Sequence, residues 1–412
     1  MSGRVHAVTR RVTAAAFLAA AVSGVVTPAP SRGQPAPNTI TLRASSLTRA
    51  ASLVRSGNAS IKPAYDRLLA DAAKQLDAPI VAVTDKRTQM PPSGNKHDYY
   101  SLSPYWWPDS TKPDGLPYVR HDGVTNPESK RDLDQPRVAQ MGDNVSTLAL
   151  ANWFTHDAQY ASRAARQLRA WFLDSATKMT PHLRYAQLVR GNPQERGSGI
   201  IDTRWFIEAV DAANLLRGSR SWTAADHAAL QSWMKDYLAW LRTSPNGKHE
   251  HEAKNNHGSW YAAQTGALAL FIGDSASARD IANEAKASIG WQITPAGEQP
   301  LELERTKSMH YSGFNIEALS RVAEIGTRFG VDLWNYQAPE GGSLRKAIDN
   351  LAKYMGNPKA WPGQEISDVD LGELLIHLRR ANTVYGGESY KAVLASLPAK
   401  AVREDRSGVL YP

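Results

Sequence analysis

The sequence predicts an all-α protein in which helical hairpins stack into one large domain. From about Leu42 onwards, apolar residues recur at spacings of three and four, which is the period of an amphipathic helix. Alternating runs of β-branched and aromatic residues with hairpin turns are scarce in the middle of the chain. A length of 412 residues, 42% of them hydrophobic and 21% charged, is sufficient for a large globular core.

The helical pattern divides into eleven segments, each with apolar residues at helical spacing and joined to the next by a short turn rich in Gly, Pro or Asn. In chain order they are residues 61–78, 144–156, 158–173, 201–217, 223–242, 256–271, 275–289, 313–329, 343–354, 369–381 and 389–395. Similar lengths and short connections are typical of helical hairpins. The segments share no fixed sequence period, which disfavours a solenoid, and the chain lacks the glycine fingerprint of a Rossmann or P-loop core.

Residues 1–33 differ in composition from the rest of the chain. Arg4, Arg10 and Arg11 form a basic start, and the apolar stretch 12–26 that follows is rich in Ala. This order is typical of a cleaved secretory signal, and the stretch is shorter than the roughly 20 apolar residues of a membrane span. We therefore predict a secreted protein, extracellular or periplasmic, without a stable membrane anchor. We interpret residues 34–60 as a linker and N-terminal segment, and 61–400 as the helical domain.

Charge and cysteine content exclude several classes of function. The formal charge of +8 includes four arginines in residues 1–33, and without that segment it falls to +4. This mild excess suits an anionic ligand in a local cleft and is too weak to indicate a nucleic-acid partner. Because the chain has no cysteine, disulfides, thiolate zinc sites and iron–sulfur clusters are excluded.

Residues 91–136 interrupt the helical pattern with a segment rich in proline, polar residues and aromatic rings. The rings are Tyr99, Tyr100, Tyr105, Trp106 and Trp107. A long irregular segment within a compact domain usually has a function, and flat aromatic faces bind the apolar C–H faces of sugars. We predict a lid loop whose rings contact a carbohydrate. The alternative is that these rings only pack the loop against the helices.

The segment KNNHGSWY, residues 254–261, is the sharpest local candidate for chemistry. Either Asn255 or Asn256 could cap the helix that begins there. His257 then falls in the first turn, where the helix dipole disfavours imidazolium and keeps the ring able to accept a proton. A purely structural role is the alternative for a single histidine at such a position.

A second candidate pair lies further along the chain, where Arg305 precedes Tyr311 by six residues. A guanidinium at this spacing could hold a carboxylate and lower the pKa of the phenol. Arg305 could equally pair with Glu302 or Glu304, and Tyr311 could be a core ring with a satisfied hydroxyl.

The order of these motifs resembles that of the alginate lyase superfamily of polysaccharide lyases. The residues that carry the resemblance are the YYSLSPYWWPD loop, the GSGIIDTR segment at 197–204, Asn256, His257, Arg305 and Tyr311. The similarity extends over about residues 60–380. It implies an (α/α) toroid, or incomplete barrel, of helical hairpins in a single large domain.

The resemblance also implies a catalytic set, Asn256, His257, Arg305 and Tyr311. The best-known alginate lyases often carry an arginine directly after the Asn-His pair, where this sequence has Gly258. This departure and the WWP loop point to a sister family, so that the reaction is retained while the uronate that is cleaved stays open.

The reaction implied is β-elimination on a polyuronate, with alginate and especially polymannuronate as the expected substrate. Asn256 and Arg305 would neutralise the carboxylate beside C5, so that no metal or other cofactor is required. With mannuronate, Tyr311 could serve as both base and acid. With guluronate, His257 would be the base and Tyr311 the acid.

Arg196 and Arg204 are further candidates for binding neighbouring carboxylates of the polymer. The alternative is that each is paired with an acidic side chain of the protein. The acidic candidates are Asp202, Glu195 and Glu208.

Three other interpretations of the chain stay open at this point. An (α/α) glycoside hydrolase would need two carboxylates, for which Glu302, Glu304, Asp202 and Glu208 are available. A non-catalytic carbohydrate-binding protein would use the aromatic loop alone. The KHEHE run, residues 248–252, lacks the second histidine of an HExxH zinc motif, so we predict a solvated loop there, with a structural metal as the alternative. We expect a monomer.

Overall fold

Helices dominate the part of the chain that the computed structural model describes, which is residues 1–2 and 36–412. The predicted signal therefore lies outside the described residues, apart from Met1 and Ser2. Within residues 36–412 the α-helices are α1 Ala44–Arg55, α2 Lys62–Asp77, α3 Asp134–Thr155, α4 Ala158–Phe172, α5 Phe206–Leu215, α6 Ala224–Thr243, α7 Pro245–His251, α8 Asn256–Phe271, α9 Ser275–Gln292, α10 Pro300–Leu303, α11 Ser308–Thr327, α12 Leu344–Met355, α13 Leu371–Tyr385, α14 Ser389–Ser396, α15 Ala399–Glu404 and α16 Ser407–Leu410.

The long helices form two concentric layers, which is the predicted (α/α) toroid. In the inner layer α3 packs on α5, α5 on α8, α8 on α11, and α11 on α13. In the outer layer α4 covers α3, α6 covers α8, α9 covers α8 and α11, and α12 covers α11 and α13. Contacts of α16 with α13 and α2, and of α2 with α3, bring the end of the chain back to its beginning.

The sequence patterns of the two layers follow their positions. The outer helix α12 buries one stripe, including Leu344, Ile348 and Leu351, at helical spacing. The inner helix α8 is buried on all sides, so that polar residues such as Gln264 and Thr265 also lie in the core. Among the helices of the described residues, none combines the length and the apolar character that crossing a bilayer requires.

All eleven predicted helices are present, but several begin elsewhere. Helix α3 begins at Asp134 rather than at residue 144, and α11 begins at Ser308 rather than at 313. The second shift places Tyr311 in the first turn of α11. The segment predicted as helix 201–217 begins as a 3-10 helix, Gly197–Trp205. Gly199 in this helix lies so close to Ala186 that a Cβ would meet its carbonyl oxygen at 2.5 Å.

The segment interpreted as a linker and N-terminal segment, residues 34–60, contains the helix α1. Leu47, Ala50 and Ala51 of α1 are buried, and the helix packs on α16. Arg43, just before α1, forms an ion pair of 2.7 Å with Glu324 of α11.

The predicted lid loop, residues 91–136, contains no α-helix before Asp134. Strand β1 (Tyr100–Leu102) pairs in parallel with β4 (Tyr185–Leu188), and β2 (Trp106–Trp107) pairs antiparallel with β3 (Val119–Arg120). Pro127–Lys130 forms a 3-10 helix. The loop is therefore attached to the toroid at β1, while β2 and β3 form a small hairpin beyond it.

A fully buried ion pair fixes the base of this loop. Lys86 and Asp134 are both 0% exposed, and the Lys86 ammonium lies 2.6 Å from the Asp134 carboxylate. Lys86 also donates hydrogen bonds to the carbonyls of Val83 and Lys96, and the same carboxylate accepts the N–H of Tyr100. This pair joins the start of the loop, β1 and the first turn of α3.

We expect Lys86→Ala to lower the free energy of unfolding by about 3–5 kcal/mol, because it leaves the buried Asp134 carboxylate without its partner. Urea denaturation measures this change. Lys62→Ala is the matched control, since Lys62 pairs with Asp66 on the surface with 68% and 54% of their side chains exposed. Similar losses in the two variants would show that the buried pair does not anchor the loop.

Candidate active site

The N-terminal parts of α8, α11 and α13, together with the lid loop and the 3-10 helix 197–205, line a cavity of about 910 Å³. This volume lies in the upper part of the range for ligand sites. The dipole at helix N-termini favours negative charge, so the orientation of these helices suits an anionic ligand.

Two arginines in the cavity wall make no ion pair with an acidic side chain of residues 36–412. Arg196 donates a hydrogen bond to the Ser103 hydroxyl at 3.1 Å, and its guanidinium lies 5.1 Å from the ring centre of Trp106. Arg204 lies 5.0 and 5.3 Å from the ring centres of Trp205 and Phe314. Burial lowers the pKa of both arginines, but a guanidinium stays charged at neutral pH.

The acids that we considered as partners for these arginines are engaged elsewhere. Glu195 pairs with Arg184 at 2.8 Å, and Glu208 pairs with Arg321 at 2.6 Å. Asp202 accepts hydrogen bonds from Tyr99, Ser101 and Gln187. Arg196 and Arg204 are therefore available to carboxylates of a ligand.

His257 lies in the cavity wall, in the first turn of α8, and is held by a buried glutamate. Its Nδ1 lies 2.6 Å from Oε1 of Glu250, whose side chain is 2% exposed. Burial acts to lower the pKa of His257, but the charge and hydrogen bond of Glu250 outweigh it, so that the pKa is raised. The Glu250 carboxylate is an influence that the sequence analysis did not include, and it acts on the pKa of His257 in the direction opposite to that of the helix dipole.

The KHEHE run supplies this glutamate from a short helix rather than from the predicted loop, while the other four residues of the run are exposed, as predicted. Ser244 caps α7 and Pro245 occupies its first turn, which starts a short helix that packs on the 3-10 helix 197–205. Glu250 is 1% exposed as a result. In the described part of the chain, no three His, Cys, Asp or Glu side chains lie close enough together to hold a metal ion.

Asn256 is fully buried in the cavity wall and does not cap the helix; Asn255 does, by accepting the N–H of His257. The backbone N–H and the Nδ2 of Asn256 each donate to Glu302 at 2.7 Å. Burial raises the pKa of Glu302, while the two hydrogen bonds from Asn256 oppose this shift. One amide hydrogen of Asn256 is thus committed to the protein.

Arg305 and Tyr311 meet at the cavity, as their spacing predicts. The Arg305 guanidinium lies 3.6 Å from the ring centre of Tyr311. Arg305 pairs with neither Glu302 nor Glu304 but with Asp122 of the lid loop, at 2.7 Å. Although burial disfavours the charged carboxylate, hydrogen bonds from Arg305 and the Thr306 N–H bring the pKa of Asp122 far below its usual value.

The Tyr311 hydroxyl lies 2.7 Å from the hydroxyl of Tyr105, which reaches it from the lid loop. Burial raises the pKa of Tyr311 strongly, and the adjacent Tyr105 adds to the rise. Arg305 acts in the lowering direction that we predicted, but its charge is partly neutralised by Asp122 and does not overcome burial. The phenol of Tyr311 therefore stays protonated at neutral pH.

The five aromatic rings of the lid loop divide into two groups. Tyr105 and Trp106 line the cavity. Tyr99 and Tyr100 do not, because both are buried in the protein, with the Tyr99 hydroxyl on Asp202. Trp107 also lies outside the cavity wall, and its indole N–H donates to the Val124 carbonyl. The positions of Tyr99, Tyr100 and Trp107 therefore do not support the prediction that these rings contact a sugar.

Sequence reasoning did not predict three contacts of the candidate site residues. They are those of Asp122 with Arg305, Glu250 with His257 and Glu302 with Asn256. His310 lines the cavity and was also not predicted; its Nδ1 lies 2.7 Å from Glu373 and its ring is stacked on Phe314. A dense acidic run marked Glu250, but no sequence signal connects Asp122 with Arg305.

The toroid and its cation-lined cavity, with the Tyr–Arg and His–Glu pairs, define a polysaccharide lyase, and comparison with known proteins supports this class. The profile of the family described as alginate lyase matches residues 82–361, more than half of the chain. The chain belongs to the alginate lyase family. No curated protein matches the sequence significantly.

Solved structures agree with this assignment. An alginate lyase from Bacteroides ovatus is 37% identical, with 91% of this chain and 99% of that chain covered and a TM-score of 0.85. The apo form of a variant of alginate lyase A1-III is 15% identical over 92% and 98% of the two chains, with a TM-score of 0.58. A tetrasaccharide complex of that lyase variant is 16% identical over 86% and 90%, with a TM-score of 0.56. The last two show similarity of fold alone.

We expect Glu250→Gln to lower the pKa of His257, because the amide keeps a hydrogen-bond partner but removes the negative charge. NMR titration of the His257 ring measures this shift directly. The pH–activity profile should also move to lower pH. The acidic limb moves if the neutral His257 ring is a base, and the alkaline limb moves if the charged ring binds a carboxylate. Glu284→Gln, which alters an exposed pair with His251, is the control. An unchanged His257 titration would contradict the role of Glu250.

Proposed function

We propose that this protein is a secreted lyase that cleaves a polyuronate by β-elimination without a metal, with alginate, and especially polymannuronate, as its substrate. The observation that carries the proposal is the convergence of Tyr311, Arg305 and His257 on one cation-lined cavity. The alginate lyase structures that the chain resembles support the choice of alginate.

In the proposed reaction the carboxylate beside C5 is neutralised first, which makes the C5 proton acidic enough to be removed. Nε and Nη2 of Arg305 donate hydrogen bonds to Asp122, so the hydrogens on Nη1 can bind the substrate carboxylate. Asn256 donates one Nδ2 hydrogen to Glu302 and has the second to offer. These groups supply the positive charge and hydrogen bonds that stabilise the developing anion.

Elimination then breaks the C5–H and C4–O4 bonds and forms a C4=C5 double bond. The base takes the C5 proton, the electron pair moves into the new double bond, and O4 leaves with a proton from the acid. With guluronate the neutral His257 ring takes the C5 proton and the Tyr311 phenol, which its raised pKa keeps protonated, gives its proton to O4. With mannuronate the phenol first releases its own proton to solvent when the uronate binds beside Arg305. The Tyr311 phenolate then takes the C5 proton and returns that same proton to O4.

Arg196 and Arg204 extend the proposed site beyond the sugar that reacts. Each is a charged group in the cavity wall without an acidic partner in residues 36–412, and each lies against an aromatic ring. A polyuronate carries one carboxylate per sugar, so these arginines suit the neighbours of the reacting residue. Trp106, beside Arg196, offers a face for a sugar ring.

The substrate proposal is tested by incubating the protein without its first 33 residues with polymannuronate, polyguluronate, glucuronan and hyaluronan. We expect ultraviolet absorbance from the unsaturated uronate to rise fastest with polymannuronate. A chelator should leave the rate unchanged, because arginine and amide donors replace a metal in the proposal. Absence of unsaturated product from all four polymers would overturn it.

We expect Tyr311→Phe to lower the rate of elimination by about 10²–10⁴-fold, because it removes the proton donor to O4. The initial rise in absorbance measures the rate. Tyr261→Phe is the matched control, since Tyr261 is also buried but donates its hydroxyl to the Leu241 carbonyl, outside the cavity wall. Elimination at the wild-type rate in Tyr311→Phe would rule out the proposed acid.

A further inference from the structure

We propose that Lys254 and Trp291 form an outer subsite that binds the acidic polysaccharide where it leaves the cavity. Neither residue lines the cavity itself. The proposal rests on the proposed function, because it takes the ligand to be a chain of uronate sugars that is longer than the cavity.

Trp291, near the end of α9, is the exposed aromatic side chain of residues 36–412, with 48% of its surface accessible. The other tryptophans of this part of the chain are buried or half-buried. An indole has a large apolar face, and its burial by a ligand is favourable. An exposed indole beside a sugar-binding cavity is therefore a candidate platform for a sugar ring.

Lys254 adds a charge to this platform. Its Nζ lies 4.2 Å from the centre of the Trp291 ring, and it forms no ion pair with an acidic side chain of residues 36–412. A uronate sugar presents an apolar C–H face and a carboxylate on the same ring. The indole and the ammonium together match these two features, which neither residue would match alone.

The position of the pair connects it with the cavity. Lys254 directly precedes Asn255, which lines the cavity. The Ser259 hydroxyl of α8 donates to Gln292 at 3.1 Å, so the residue after Trp291 is fixed against the start of α8. The platform thus lies just outside the rim where Asn255 and His257 are located.

A second set of contacts connects the end of α9 with another part of the rim. Asn315 of α11 donates to both Gln292 and Gln299 at 2.7 Å. Gln299 leads into α10, where Leu301 lines the cavity and is 38% exposed. The segments that carry Trp291 and Leu301 are therefore held on the same inner helix, next to the cavity.

The subsite should matter for long substrates and not for short ones. A short oligosaccharide that fills only the cavity does not reach Trp291, whereas a polymer bound in the cavity continues past the rim. Loss of the platform would therefore raise KM for the polymer and leave kcat unchanged, because the reacting sugar is bound as before.

The experiment compares Trp291→Ala and Lys254→Ala with the wild type on polymannuronate and on its tetrasaccharide. For Trp291→Ala we expect KM for the polymer to rise roughly fivefold, the scale of a lost aromatic contact, with kcat for the polymer and kcat/KM for the tetrasaccharide unchanged. Lys254→Ala should give a smaller rise that disappears at high salt, since the ammonium is exposed.

Lys286→Ala is the matched control, because Lys286 also lies on α9 over an aromatic ring, with its Nζ 6.0 Å from the centre of Tyr336, and neither of the two lines the cavity. This variant should match the wild type on both substrates. Equal effects of Trp291→Ala on polymer and tetrasaccharide, or no effect on either, would overturn the subsite.

Binding without turnover separates this inference from the proposed function. Affinity electrophoresis through gels that contain polymannuronate measures polymer binding in each variant. If the wild type binds the polymer without forming unsaturated product, and Trp291→Ala weakens this binding, the subsite stands and the proposed reaction fails. If elimination proceeds and Trp291→Ala binds the polymer as the wild type does, the reaction stands and the subsite fails.

Discussion

Carboxylates from separate segments hold the polar side chains at the cavity, and the geometry of the site depends on them. Glu302 fixes the amide of Asn256, and Glu250 fixes the ring of His257. Asp122 holds the guanidinium of Arg305 against the Tyr311 ring. Each of these acids is buried or half-buried, so its charge acts at short range with little screening by water. The toroid brings the three segments together, and the carboxylates then orient the groups that meet the substrate.

The lid loop belongs to the core and to the site at the same time. Its base is fixed by the buried Lys86–Asp134 pair and by Tyr99, whose hydroxyl reaches Asp202. Its outer part delivers Tyr105 to the Tyr311 hydroxyl and Asp122 to Arg305. Because buried contacts anchor the base, the small β2–β3 hairpin beyond it can hold Tyr105 and Asp122, which flank the two strands. This division explains why neighbouring aromatic residues of the loop have unrelated roles.

The arginines at and around the cavity differ in whether an acidic side chain of residues 36–412 neutralises them. Arg321 and Arg380 are saturated by a buried network with Glu208 and Glu317, which stabilises the inner layer. Arg305 is partly neutralised by Asp122. Arg196 and Arg204 keep their charge without an acidic partner in residues 36–412, so their guanidinium groups are available to a carboxylate of a ligand. The net charge of the whole chain therefore indicates the sign of the ligand but not the residues that bind it.

The sequence by itself determined most of the helices, since a period of 3.6 residues with turn signals is local information, and the resemblance to alginate lyases supplied the candidate residues of the site. The composition of residues 91–136 predicted an irregular loop but did not reveal which of its aromatic rings would be buried. Only the tertiary structure decided that Glu250, Glu302 and Asp122 are the partners of His257, Asn256 and Arg305. The last pair is separated by 183 residues, and contact between such distant residues depends on how the toroid closes. The pKa shifts of His257 and Tyr311 follow from those contacts and from burial, so they too could be known only from the folded chain.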